Sequence, residues 1–126
     1  MKKSLSVLIV DDDPTISEIM KEKLTMSGHT VHHILNGAKV IFTGEQVSPD
    51  VIILDLMMTN MSGEEVLKEL KNNEKLREIP VLVFSNKGIE QEMEDLAELG
   101  AAKALVKADT SLSELVDVVE ELAKGK

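Results

Sequence analysis

The sequence predicts an α/β fold, a doubly wound five-stranded parallel sheet with five helices covering its two faces. Three observations predict it. Short apolar runs alternate with amphipathic helical stretches from one end of the chain to the other. The run Val51-Ile52-Ile53-Leu54 is apolar at every position, the pattern of a central parallel strand buried on both sides. Such strict alternation places helices on both faces, because right-handed crossovers must carry them there.

Taken in order, Leu5 to Val10 reads as the first buried strand. Pro14 then opens a helix with Ile16, Ile19, Met20 and Leu24 expected on its inward face. Asp13 is a natural N-cap, and proline suits the first helical position, where its missing N–H costs nothing. Gly28 stops this helix. A weaker strand follows around Thr30 to Leu35, then a short helical piece near Ala38 to Glu45. Asp50 leads into the strand Val51 to Leu54. Ser62 and Glu65 form a capping box for a helix through Val66, Leu67 and Leu70. Pro80 precedes the strand Val81 to Phe84. A helix over roughly Ile89 to Leu99 ends at Gly100, a favourable residue just past a helix. Lys103 to Val106 is the last strand. Ser111 and Glu114 make a second capping box, and Leu112, Leu115, Val116, Val119 and Leu122 stripe the final helix.

Composition sets the bounds. The 126 residues suit one domain, expected to span 1–126 with no output domain. Apolar residues make up 43%, enough for a real core, yet Phe42 and Phe84 are the only aromatics. Leu, Val, Ile, Ala and Met must therefore fill that core, and base stacking on aromatic rings is excluded. A net charge of −9 would repel a phosphate backbone, so no nucleic-acid partner is expected. No cysteine is present, no apolar stretch is long enough to span a membrane, and a cytoplasmic location is expected. The apolar run after Lys2 and Lys3 is too short for a secretory signal and ends in three aspartates.

The chemistry collects at the strand ends, where open parallel sheets bind ligands. Asp11, Asp12 and Asp13 end the first strand, and Asp55 the third. Ser85-Asn86 end the fourth, and Lys107 the fifth. Acids that converge raise one another's pKa unless a cation joins them. Oxygen ligands on a partly open site suit Mg2+, which shares its ligands with phosphate. A metal, a candidate nucleophile and an ammonium together are equipment for phosphoryl transfer.

Val10-Asp11-Asp12-Asp13-Pro14, the stretch Leu54-Asp55-Leu56-Met57-Met58-Thr59-Asn60-Met61-Ser62-Gly63, Ser85, and Leu105-Val106-Lys107 resemble the receiver domain of bacterial two-component response regulators. The resemblance covers essentially the whole chain and implies a flavodoxin-like fold. It implies that Asp55 accepts a phosphoryl group from a sensor histidine kinase, a histidine phosphotransfer protein or a small phosphodonor. Asp12 and Asp55 would hold Mg2+ by their side chains and Met57 by its backbone carbonyl, with Asp11 acting through water. Ser85 would be the switch hydroxyl, and Lys107 would pair with the aspartate or its phosphate. A downstream effector would dock on the last strand and the two helices flanking it. Exposed acids expected on the last helix (Glu114, Asp117, Glu120 and Glu121) favour a basic partner. The protein would be a signalling phosphoacceptor rather than a turnover enzyme, with Mg-dependent self-phosphorylation and slow self-dephosphorylation.

Four positions depart from the family pattern. Ala104 stands where many receivers carry Tyr or Phe, so the usual aromatic relay is missing. Ala108 follows Lys107 where a cis proline is common; a cis bond here would cost about 2.5–4 kcal/mol, leaving a trans bond or local strain as alternatives. Asn86 replaces a smaller residue, and Thr59 a proline. Met57 and Lys87 are expected to flank the attack path and to tune the lifetime of the phosphorylated state. Two other functions compete. One is a receiver-like module that no longer uses phosphorylation. The other is an aspartate-based phosphatase resembling haloacid dehalogenases, but the second acid it needs is replaced by Met57. Most of the seven methionines are expected to be core filler. His29 and His33 would lie about 13 Å apart along a strand. With His32 on the opposite face, the three are expected to be solvated or partner-facing and to form no metal site.

Overall fold

The computed structural model describes residues 4–58, 61–86 and 93–124, the side chains of residues 93 and 94 excepted. Its elements are β1 (Ser6–Val10), α1 (Pro14–Met26), β2 (Thr30–Ile34), a 3-10 turn (Gly37–Lys39), α2 (Val40–Val47), β3 (Val51–Leu54), α3 (Gly63–Lys71), β4 (Val81–Ser85), α4 (Met93–Glu98), β5 (Lys103–Val106), a second 3-10 turn (Lys107–Asp109) and α5 (Leu112–Lys124). The expected start of α4 at Ile89 lies outside the described residues, as do Thr59 and Lys87.

The strands form one parallel sheet in the order β2-β1-β3-β4-β5. The chain winds outward to β2 and then back across to β3, so the order reverses between β1 and β3. A crevice opens there beyond the carboxyl ends of these two strands. All four residues of β3 are buried, as its unbroken apolar run requires. Alternate side chains feed two cores. Val7, Ile9, Ile53 and Phe84 pack with Met20, Leu24, Leu115 and Val119 of α1 and α5. Leu8, Val10, Leu54 and Val83 pack with Val40, Val66, Leu70 and Leu96 of α2, α3 and α4. Each fully buried Leu, Ile or Val contributes about 1.5–3 kcal/mol relative to exposure.

The helix ends follow the sequence closely. The Asp13 carboxylate accepts from the N–H groups of Thr15 and Ile16 at 3.0 and 3.3 Å. Both capping boxes form, Ser62 with Glu65 and Ser111 with Glu114. Gly28 and Gly100 adopt φ of 95° and 106°, the left-handed conformation that closes α1 and α4.

The inward face of α1 differs from expectation. Ser17, Met20 and Leu24 are buried, whereas Ile19 is 44% exposed. At 3.6 residues per turn, Ile19 lies roughly 130° from the centre of the Ser17–Met20–Leu24 stripe, and Ile16 on its flank is half-buried. β4 extends one residue further than the apolar run, because Ser85 still pairs with Val106.

His29 is the clearest correction. It is buried, not solvated, at the amino edge of the sheet. The Leu5 N–H donates to its Nδ1 at 3.1 Å, and its Nε2 lies 2.8 Å from Glu120 of α5. Because Nδ1 accepts, the proton must sit on Nε2 and point at the carboxylate. Glu120 is thereby drawn inward, away from the exposed acidic surface expected of it.

Candidate functional site

Asp11 follows the last residue of β1 and Asp55 the last residue of β3, on neighbouring strands either side of the crevice. Their backbones continue the ladders: Asp11 N–H donates to Ile34 O at 3.2 Å, and Asp55 N–H to Val10 O at 3.0 Å. Both side chains are buried, and Asp12 is half-buried beside them. One carboxylate oxygen from each of the three lies within 4.8 Å of the others. Asp13 stands apart from this cluster as the α1 cap.

Lys107, immediately after β5, reaches into the cluster. Its Nζ donates to Asp11 Oδ2 at 2.8 Å and to Asp55 Oδ2 at 3.4 Å, and lies 6.0 Å from the centre of the Phe84 ring. One ammonium is thus shared between two carboxylates. Burial would lower the Lys107 pKa, but the hydrogen bond and charge of Asp11, and then Asp55, outweigh it and hold the pKa above its usual value. For Asp11 the balance falls the other way. Burial pushes its carboxyl above the ordinary aspartate range, the Asp55 charge adds to that, and the contacts with Lys107 and the Asp13 N–H only partly offset it. The cluster therefore has an excess of negative charge held in a partly dry place. That is a donor set of hard oxygens suited to a small divalent cation.

The remaining predicted residues fall around this centre. Met57 donates its backbone N–H to Asp55 Oδ1 at 3.1 Å, while its side chain is 59% exposed at the rim. Ser85 ends β4 beside β3 and is fully buried; Asn86 after it is exposed. The Asp55 loop is held from below. Gly63 N–H donates to Leu56 O at 3.1 Å. A Cβ at Gly63 would stand 2.5 Å from the Leu56 Cα and 2.8 Å from the Asp55 carbonyl, so only glycine permits this approach.

No cis peptide bond occurs among the described residues, so Lys107–Ala108 is trans and its lysine reaches the cluster without that strain. Ala104 is half-buried, and beside it a cleft of about 260 Å3 lies between α4 and β5, lined by Leu96, Ala97, Ala101, Ala102 and Lys103.

Sequence reasoning missed one residue of this region. His33, expected to be solvated or to face a partner, is half-buried with Nε2 2.9 Å from the backbone oxygen of Asp11. The signal was in the register: His33 pairs with Ile9, two residues before Asp11, and its side chain shares that face.

Comparison with known proteins agrees with this fold. Residues 7–120 match the family model described as the response regulator receiver domain. A DNA-binding dual master transcriptional regulator, RpaA of Synechocystis sp., is 35% identical over 118 residues. That alignment takes in 94% of this chain but 46% of the regulator, so the chain spans about half of that relative. The polar-differentiation response regulator DivK of Brucella anthropi is 27% identical, with 91% of this chain and 93% of DivK covered. Among solved structures, the receiver domain of the Francisella response regulator 1452 superposes with a TM-score of 0.88 at 27% identity, covering 97% of this chain and 98% of that one.

Proposed function

Because the chain belongs to the response regulator receiver family, we propose that it takes a phosphoryl group onto Asp55 and signals by docking a partner in a phosphorylation-dependent way. The observation that carries this reading is the shared ammonium: Lys107 already bridges Asp11 and Asp55 inside an acidic cluster that lacks enough positive charge. An aspartyl phosphate would bring more negative charge to the same place, and the chemistry of the cluster suits a cation there.

The donor set fits Mg2+, with Asp12 and Asp55 as side-chain ligands, the Met57 carbonyl as a backbone ligand and Asp11 acting through water. When bound, the metal would neutralise charge on the phosphoryl oxygens. The chain's own residues do the rest. An Asp55 carboxylate oxygen forms the new O–P bond as the N–P bond of a phosphohistidine, or the O–P bond to acetate in acetyl phosphate, breaks. The leaving group departs with the bonding pair. The Met57 N–H holds Asp55 Oδ1 in place, so the carboxylate is oriented before reaction. Lys107 pairs with the phosphorylated aspartate, and the Ser85 hydroxyl turns toward the new oxygens.

The donor would be a sensor histidine kinase or a histidine phosphotransfer protein, and the setting the cytoplasm. No helix among the described residues is long and apolar enough to cross a membrane. The effector would meet α4, β5 and α5, where Asp95, Glu98, Glu114, Asp117 and Glu121 are exposed and the Ala104 cleft opens between α4 and β5. A basic partner with an apolar side chain suits that surface, and nucleic acid does not. We expect no multiple-turnover enzyme activity and slow loss of the phosphate, because the Met57 side chain at the rim cannot orient a hydrolytic water.

Mass measurement of the intact protein after incubation with Mg2+ and acetyl phosphate or phosphoramidate tests this. A gain of one phosphoryl group, absent in Asp55→Asn, is the expected result. No gain in the wild type would overturn the reading, and sustained phosphate release over many turnovers would replace it with a phosphatase.

A further inference from the structure

We propose that His33 is a positioning residue for the metal half of the site, fixing the peptide that aims Asp12. The inference rests on the phosphoacceptor reading for its biological meaning but not for its measurement. Asp11 N–H makes the last backbone rung between β1 and β2, donating to Ile34 O at 3.2 Å. Beyond that rung β2 has ended, and the next backbone group after β1 to need a partner is the Asp11 carbonyl. The His33 imidazole supplies that partner from the side. A carbonyl can only accept, so Nε2 carries the proton and donates to it at 2.9 Å.

The consequence is geometric. A peptide unit is planar, so holding the Asp11 carbonyl also fixes the Asp12 nitrogen and the direction in which the Asp12 Cα leaves the strand. Asp11 itself is held at every polar atom. Its Oδ1 accepts from Asp13 N–H at 2.9 Å and its Oδ2 from Lys107 at 2.8 Å, while its backbone is held by Ile34 and His33. For the Asp11–Asp12 peptide, the ring contact is what continues the strand's order into the acidic cluster. Groups one step behind metal ligands typically change metal affinity by roughly 10–100-fold when removed, because ligands must otherwise be ordered at the moment of binding.

The test uses Mg2+ alone as the probe, with titration calorimetry of the whole chain. His33→Leu removes the donor, and we expect the Kd for Mg2+ to rise about tenfold. His33→Gln places an amide N–H the same number of bonds from the backbone, and we expect affinity to return to within about threefold of wild type, on the same scale. His33→Met serves as a second donor-free variant should leucine prevent folding. With acetyl phosphate, the donor-free variants should need more Mg2+ for half-maximal phosphorylation, while the rate at saturating Mg2+ stays near wild type. A purely structural role would lower thermal stability without this split and without rescue by glutamine. An unchanged Mg2+ Kd in a folded donor-free variant overturns the inference, as does a glutamine variant no better than leucine. If the wild type binds Mg2+ but takes no phosphoryl group, the phosphoacceptor reading fails while the His33 result still stands.

Discussion

The two edges of the sheet use polar residues in opposite ways. At the amino edge each buried polar group closes a bond with a neutral backbone partner or a single counterpart. Ser6 N–H donates to Asp50 at 2.8 Å, Leu5 N–H to His29 at 3.1 Å, and His29 in turn meets Glu120. At the carboxyl edge three carboxylates crowd together, and two of them, Asp11 and Asp55, share one ammonium. The first arrangement is what folding favours, since paired polar groups cost little when buried. The second is held against like-charge repulsion and desolvation, which is the usual state of a site that awaits a ligand. Two histidines four residues apart fall on either side of this contrast: His29 ties the fold together, and His33 reaches the site.

The largest effect should come from removing the ammonium. Lys107→Ala leaves Asp11 and Asp55 uncompensated and should destabilise the metal-free protein by about 3 kcal/mol near neutral pH. The pH dependence follows from the raised pKa of Asp11. A carboxyl whose folded pKa lies above its unfolded value costs stability at higher pH and regains it as pH falls through the folded value. Loss of Lys107 raises that value further, so the gap between variant and wild type should narrow as pH drops. Urea unfolding from pH 8 to 5 measures it; a gap constant across that range would show that the cluster is not under electrostatic stress.

Mg2+ should do for the wild type what the lysine does only in part. At about 100 times its Kd it should add about 2.7 kcal/mol of stability, and Asp12→Asn should lose that gain. Differential scanning calorimetry with and without Mg2+ reads both. At the other edge, His29→Leu strands the buried Leu5 N–H and should cost about 2 kcal/mol while leaving Mg2+ affinity unchanged. A change in Mg2+ affinity in that variant would mean that the two edges are coupled through the sheet. The smallest effect is expected at α3, where Ser62→Ala removes one side of the capping box at a cost of about 1 kcal/mol, read by chemical denaturation.

Much of this was legible in the chain. Unbroken apolar runs identified β1, β3 and β4, and capping residues marked α1, α3 and α5, because those signals depend on neighbours in sequence. Asp11, Asp12, Asp55 and Lys107 could be picked out because each stands within two residues of a strand's end, and a parallel sheet gathers such ends at one edge. Ile19, His29 and His33 were misjudged for a common reason. A residue on the flank of a helical stripe, or a histidine on or just before an edge strand, takes its environment from whatever packs beside it.

The sequence by itself determined the order of strands and helices, where the helices are capped, and which side chains stand at the strand ends. Periodicity, capping and turn chemistry act over a few residues and survive without the rest of the molecule. Only the tertiary structure decided that Lys107 lies closer to Asp11 than to Asp55, that Lys107–Ala108 is trans, and that His33 holds the Asp11 carbonyl while His29 is buried against Glu120. Those facts depend on strand register and on contacts between residues 22 to 96 positions apart. Their physical cause is the sheet, which brings distant chain segments within hydrogen-bonding distance.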